Sequence, residues 1–385
     1  MNYFDWASTS LPNKNILQEA LDVSIKFSAN PSGVHKKSIE AKHTLDEARK
    51  RCAKILGVKE NTLIFTSGGT ESDYIPIVSL LQRQAVGSIL VSSIEHSAIK
   101  EQVLSMERCG WKVIQIPVDN NGIVQPQTVI EKLQDDTALV CIMGVNNETG
   151  AIQPIKHIVQ AISEHCKGKK RPKVHVDAVQ TFGKIPFNVT DLDIDTATLS
   201  AHKLCGPRGT GILYMKDRQE PFLRGGGQES GLRSGTENLF GVWATMLCLE
   251  EYVHADKLAV RIEKQKPIMQ YFMQELGNIT NAKIIPESRS SQEFVENFSN
   301  WVLQASFKGI PGEVMVRSLS EKGFYISTGS ACSSRKAIRP VLQAMGIDKD
   351  TATNTVRFSF GPETTKDDVS GLVEALKSIC AMFCM

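Results

Sequence analysis

Thr62-Leu-Ile-Phe-Thr-Ser-Gly-Gly-Thr-Glu71 is the stretch that decides the fold. Five β-rich residues give way to two glycines and then to a helical pattern running through Leu81, so the segment reads as strand, glycine turn, helix. The alternation extends outward in both directions. Upstream, Leu45 to Leu56 (LDEARKRCAKIL) has helical spacing with Gly57 as its stop. Downstream, strands are expected at Ile89–Ser92, Lys112–Ile116, Leu139–Val145, Lys173–Asp177, Thr196–Ser200 and Gly211–Met215, with helices at Ser97–Cys109 and Gln127–Leu133. Short apolar strands separated by helices are strands buried on both faces, which predicts an α/β fold with a mostly parallel sheet flanked by helices.

The 385 residues allow two or three compact units. Residues 13–254 form the expected large domain, and the amphipathic segment Ala255–Leu276 leads into a smaller α+β domain, 255–385. That smaller unit holds Phe294–Val302, the 323–334 loop, Val356–Phe360 and a closing helix over Lys366–Phe383. Residues 1–12 are expected to be an arm packing with it.

Composition excludes several classes of function. Hydrophobic residues at 41% and charged residues at 22% are those of an ordinary globular protein. The 44 Lys and Arg against 42 Asp and Glu leave only +2, so no direct nucleic-acid partner is expected. The basic run Lys167–Lys173 (KGKKRPK) reads as a solvated loop before a strand. Neither a secretory leader nor an apolar run of about 20 residues is present in the sequence, which points away from the membrane and toward the cytoplasm. The nine cysteines contain no C-x-x-C pair, which fits reduced thiols rather than disulfides or a zinc site. Cys52, Cys141 and Cys248 fall in apolar patterns and are expected to be buried and inert. Cys380 and Cys384 share a helix face without histidine or acidic partners, so no metal is expected there.

Chemistry gathers at strand ends. Glycines in Thr66–Glu71 let the backbone approach a ligand, and the following helix presents unpaired N–H groups suited to a phosphate, although any strand-to-helix turn also favours glycine. Val174–Gln180 (VHVDAVQ) is an apolar strand ending in Asp177, either a buried acceptor at the ligand edge of an open sheet or a helix cap. Ser200-Ala-His-Lys203 follows another strand and precedes the glycine-rich turn Gly206–Gly211. A surface lysine is one reading of Lys203; a desolvated amine able to form a Schiff base is the other.

These motifs occur in company. FTSGGTES, SSIEHSAI, VNNETG, HVDAVQT, SAHK, GPRGTG, GGGQESGLRSGTEN, STGSACSS and VRFSFG appear in one order from YFDWAST at Tyr3 to about Gly361. The sequence thereby resembles the NifS/IscS-type cysteine desulfurases of the class V, fold-type I aminotransferase superfamily. The resemblance implies pyridoxal 5′-phosphate (PLP) as cofactor and L-cysteine as substrate. It makes Lys203 the cofactor-bearing lysine, Asp177 the partner of the pyridine nitrogen, and His96 the residue stacked over the ring that also moves protons. Gln180 matches the neighbour of the ring hydroxyl. Gly69, Thr70, Ser200 and His202 match the phosphate set, and Thr236 matches a phosphate contact from a second subunit, which implies a homodimer. Asn147 and Arg357 match residues holding the substrate carboxylate, with Asn30 nearby.

Cys332, in the small-residue run Ser327–Ser334, would take the sulfur as a persulfide and pass it to an acceptor protein, for iron–sulfur assembly or thiolation. A selenocysteine lyase or another class V aminotransferase would share the cofactor residues, but simple transamination has no use for Cys332. A non-enzymatic relay would be expected to have lost Lys203, Asp177 or Cys332, and all three are present. Trp6 and Tyr74 depart from the family pattern and are expected to alter the pocket entrance. The chain ends soon after its last helix, so the tail by which housekeeping members dock an iron–sulfur scaffold is expected to be reduced.

Overall fold

A computed structural model describes residues 2–329 and 339–383. Its strands are β1 (Asn2–Tyr3), β2 (Leu63–Thr66), β3 (Ser88–Ser92), β4 (Lys112–Ile116), β5 (Thr137–Cys141), β6 (Lys173–Asp177), β7 (Thr196–Ser200), β8 (Gly211–Met215), β9 (Ala282–Ile285), β10 (Val302–Phe307), β11 (Phe324–Tyr325) and β12 (Thr355–Ser359). Strands β2 to β8 form one seven-stranded sheet in the order β2-β8-β7-β6-β5-β3-β4. The four pairings from β7 through β4 are parallel, and β8 runs antiparallel to both β7 and β2. The reversal has a local cause. Only the turn 201–210 separates β7 from β8, too short for the crossover that a parallel neighbour requires.

The strands bury both faces beneath helices, among them Lys36–Leu56, Ser97–Arg108, Ile155–His165 and Leu239–Tyr252. The helix Lys36–Leu56 begins nine residues before its apolar spacing does: the stretch ahead of Leu45 buries only Ser38 and Ala41, which carry no hydrophobic period. It ends as expected at Gly57, whose φ of 67° suits a residue without Cβ. Strand β5 stops at Cys141, earlier than the apolar run that continues to Val145. Past that point the main chain still follows β6, with Gly144 N–H donating to the Asp177 carbonyl at 2.8 Å. The close contact of Gly144 with the Thr181 side chain leaves no room for a Cβ.

A second core lies around the antiparallel sheet β12-β10-β9, covered by the helices Ala255–Gly277, Gly312–Glu321 and Lys366–Phe383. In place of the expected Phe294–Val302 element, the chain makes a single turn at Val295–Asn297 and enters β10 at Val302. Phe4 belongs to this second core, packing edge-on to Phe360 at 5.8 Å, and β1 pairs in parallel with β11. The first residues are thereby stitched to the last third of the chain. None of the helices in the described residues is long and apolar enough to cross a membrane.

Candidate active site

Because β8 is reversed, the C-terminal ends of β2, β3, β5, β6 and β7 all open on one edge of the sheet. Ligands of open α/β sheets gather at this edge. A cavity of about 220 Å³ lies there, lined by Gly69, Thr70, His96, Asn147, Asp177, Gln180, Ser200, His202, Lys203 and Arg357. Ala7, Ser8 and Asp73 complete its polar side.

The glycine turn after β2 seats Gly68 against β8. A Cβ on Gly211 would come within 2.9 Å of the Gly68 backbone, so two main chains touch where a side chain would hold them apart. From this turn the helix Gly69–Val78 starts with its unpaired N–H groups at the cavity. His96 caps the helix Ser97–Arg108: its Nδ1 accepts the Ala98 N–H at 3.1 Å, leaving Nε2 as the other ring nitrogen. Burial lowers the pKa of His96, with the nearby Asp177 charge opposing.

Asp177 closes β6, and its Oδ1 accepts the Val179 N–H at 3.0 Å. Behind it lies a buried set that sequence reading did not single out. His175 Nε2 pairs with Asp73 Oδ1 at 3.1 Å, and its Nδ1 pairs with Thr196 Oγ1 at 2.8 Å. Burial, then the proximity of Asp177, raises the Asp73 carboxyl well above its usual range. Burial brings His175 down to about 4. Both shifts favour the uncharged form of each group beside Asp177. The period-two alternation of a strand, which puts His175 and Asp177 on one face, was the available signal.

Lys203 follows β7, and its Nζ donates to the carbonyls of Ala7 at 2.6 Å and Ser8 at 2.7 Å. The same Ala7 carbonyl accepts Gln180 Nε2 at 2.9 Å. His202, held down to about 4 by burial first and by Lys203 next, contacts Thr9 Oγ1 through Nδ1 at 3.1 Å. The arm therefore forms one wall of the site. Its contribution is mostly backbone carbonyl, which residue type does not advertise.

Arg357, on β12, is 1% exposed. Its Nη1 donates to the Asn147 carbonyl at 2.9 Å, and Nη2 donates to Asp5 Oδ1 at 2.8 Å and Ser8 Oγ at 2.7 Å. Nε is buried with no hydrogen-bond partner among the described residues. A guanidinium N–H left without a partner is a donor that a carboxylate ligand suits. Main-chain bonds tie Arg357 to Ser327, its N–H donating to the Ser327 carbonyl at 2.7 Å. Cys332 lies outside the described residues.

Thr236 and Asn30 are exposed and stand apart from the cavity lining. Asn30 Oδ1 instead accepts the Ser32 N–H at 2.9 Å. Trp6 and Tyr74, expected at the entrance, do not line the cavity: Trp6 is buried against Tyr3, and Tyr74 packs with Ile64, Ile75 and Leu232. Cys52, Cys141 and Cys248 are buried free thiols, and burial pushes each thiol upward. The described residues contain no cluster of His, Cys, Asp and Glu suited to a metal.

An amine, a carboxylate, an imidazole and a glycine-started helix in one cavity are the donor set of a PLP site. The family model described as aminotransferase class-V matches residues 2–372. This chain belongs to the class-V aminotransferase family, among its NifS/IscS-type members. A NifS/IcsS protein homolog of Lactobacillus delbrueckii subsp. bulgaricus is 36% identical to this class-V chain, covering 100% of it and 98% of the relative. Cysteine desulfurase IscS of Dictyoglomus turgidum is 34% identical over 98% of this chain and 94% of its own length. A solved NifS-like protein superimposes with a TM-score of 0.89 at 33% identity, covering 99% of both chains. SspA, solved in complex with cysteine, superimposes at 0.80 with 29% identity, over 95% of this chain and all of SspA. Class-V membership accounts for the cavity: the family implies a PLP cofactor, and the residues lining this edge of the sheet fit one.

Proposed function

We propose that this class-V chain is a cysteine desulfurase, removing sulfur from L-cysteine as an enzyme persulfide and releasing alanine. Its relatives named cysteine desulfurase match nearly the full chain. The observation that carries the reading is the meeting of Lys203, Asp177, His96 and Arg357 around one cavity.

When bound, PLP supplies an electron sink for bonds at the amino acid's α-carbon. Lys203 would bear the cofactor, and its amine would be the group placed to carry the substrate's α-proton. Asp177 would pair with the ring nitrogen. His96 would lie against the ring and move protons through Nε2, its depressed pKa keeping the imidazole a base near neutrality. Gln180 would donate to the ring oxygen, while Gly69, Thr70, Ser200 and His202 would hold the phosphate, joined by Thr236 from a second copy in a homodimer. Asn147 and Arg357 would orient the substrate carboxylate, and Asn30, standing apart from this cavity, takes no part in it. The Cys332 thiolate attacks the substrate sulfur, the carbon–sulfur bond breaks with its electron pair going to carbon, and that carbon takes up a proton. An acceptor thiolate then attacks the persulfide's outer sulfur, the S–S bond breaks, and the Cys332 thiolate is released.

The working division is an arm over residues 1–12, a large cofactor domain over 13–254 and a small domain over 255–385 carrying the sulfur-accepting cysteine. The setting is the cytoplasm. The test is direct: the purified protein should be yellow, and should release one alanine per sulfide from cysteine in the presence of a reductant. Alanine formed without sulfide, or a colourless protein that stays colourless with added PLP, would overturn the reading.

A further inference from the structure

The residue behind Gln180 has no part in the scheme above. Lys184 is 8% exposed, and its Nζ donates to Gln180 Oε1. Lysine is rarely placed inside a protein without a task, because its ammonium loses water there. Here the turns that follow β6, over 179–184, fold it back onto Gln180 four residues earlier. The carboxamide is pinned at both ends, since Nε2 donates to the Ala7 carbonyl at 2.9 Å. An ammonium can only donate and a carbonyl can only accept, so the two contacts admit a single orientation of the amide. Gln180 lines the main cavity, and Lys184 does not. Lys184 instead reaches the far side of Lys203, where both line a small cleft with Cys205, Tyr252 and Trp301.

We infer that Lys184 is a positioning residue: it locks the Gln180 amide so that its second Nε2 hydrogen faces the cofactor's ring oxygen, and it sets a positive charge behind the amine of Lys203. The inference rests on the PLP reading of the cavity. Its logic is that of charge and donor polarity. A donor on the ring oxygen draws electron density away from the imine nitrogen formed with Lys203, and a cation close by opposes protonation of that nitrogen. Both effects lower the pH at which that nitrogen gives up its proton. A free amide would instead be able to turn its carbonyl oxygen toward the ring oxygen, replacing attraction by repulsion.

The groups acting on Lys184 are few. Burial, first, and then Lys203 and Arg357 bring its pKa down to about 7, with Cys205 opposing. Its ammonium is thus present on the acid side of neutrality and lost above it. The lock and the charge fade together as pH rises.

The experiment is a pH titration of the visible band of the holoenzyme, in wild type, Lys184→Met and Lys184→Arg, each repeated in a Gln180→Leu background. The midpoint is expected to rise by about one pH unit in Lys184→Met, as loss of one charge-assisted contact would give. Lys184→Arg, which keeps the charge, should bring the midpoint back toward wild type. In the Gln180→Leu background the shift should shrink, because part of it travels through the amide. An unmoved midpoint in Lys184→Met, or an equal shift in both backgrounds, overturns the inference. Should Lys184→Met fail to fold, Lys184→Gln carries the same comparison with less loss of polarity. A wild-type protein with no visible band at all would speak against the cofactor reading instead, so the two failures are distinguishable.

Discussion

Asp5 and Arg357 are 352 positions apart in the chain and are joined by an ion pair of 2.8 Å, the guanidinium 1% exposed and the carboxylate 21%. The pair couples the first strand's exit to the strand that carries the proposed substrate-binding arginine. Removing Asp5 leaves a buried cation without its anion, so Asp5→Ala is expected to destabilise the protein by about 2–3 kcal/mol, somewhat below a fully buried pair. The fork also loses its fixed direction. KM for cysteine should rise roughly tenfold while the visible band is unchanged, as expected when positioning and not cofactor binding is damaged. Denaturant unfolding and steady-state kinetics on one preparation check both halves; an unchanged KM would remove Asp5 from the site.

Lys203 and Cys332 divide the proposed chemistry into separable parts. Lys203→Ala should prevent borohydride from fixing the cofactor to the chain and abolish turnover. Cys332→Ala should keep the visible band and still respond to cysteine spectrally, yet lose at least ~100-fold in sulfide release. Mass measurement after cysteine treatment should find one added sulfur in wild type and none in Cys332→Ala. An added sulfur that persisted in the variant would move the acceptor role to another thiol.

Strands at Lys112–Ile116, Lys173–Asp177, Thr196–Ser200 and Gly211–Met215 were legible to the residue, because each is a short run of β-favouring residues set between turn and loop residues. The reversal of β8 was not, since strand direction depends on connection length as much as on pattern. The positions of Asp177 and Lys203 at one cavity could be read for the same reason that the strands could: both sit where strands stop. What could not be read is the wall supplied by the arm. Ala7 and Ser8 act through carbonyl oxygens, and every residue has one. Asp73 and His175 escaped notice because a buried carboxyl beside a helix start looks like an ordinary exposed acid until tertiary packing closes over it.

Trp6 lies flat against Gly361, whose Cα faces the indole so closely that a Cβ there would overlap the ring. The indole N–H donates to the Tyr3 carbonyl at 2.8 Å, which keeps the ring from turning aside. Gly361→Ala should therefore cost on the order of 1–3 kcal/mol by overpacking. Trp6→Phe should return part of that loss, so a double-mutant cycle should give a coupling above about 0.5 kcal/mol. Additive effects would mean that the backbone moves aside and that the two residues do not constrain each other.

Opposing buried groups should shape the pH dependence of stability in the cofactor-free protein. His175 falls from 6.5 to about 4 on folding, so between those values the unfolded chain binds a proton that the folded chain refuses. Its contribution is complete above pH 6.5 and is lost as pH falls toward 4. Glu95 has the opposite sign: burial raises it from 4.5 to about 8, so its contribution is complete below pH 4.5 and is lost as pH rises toward 8. Each limb has a slope near 1.4 kcal/mol per pH unit where one proton separates the states. Since Lys184 and His202 titrate in overlapping ranges, the discriminating quantity is a difference between proteins and not a single curve. Wild type minus Glu95→Gln should decline as pH rises between 4.5 and 8, and wild type minus His175→Gln should decline as pH falls from 6.5 to 4. Unfolding free energies from denaturant titrations across that range check both signs, and parallel curves for either variant would mean that its group titrates alike in the folded and unfolded chain.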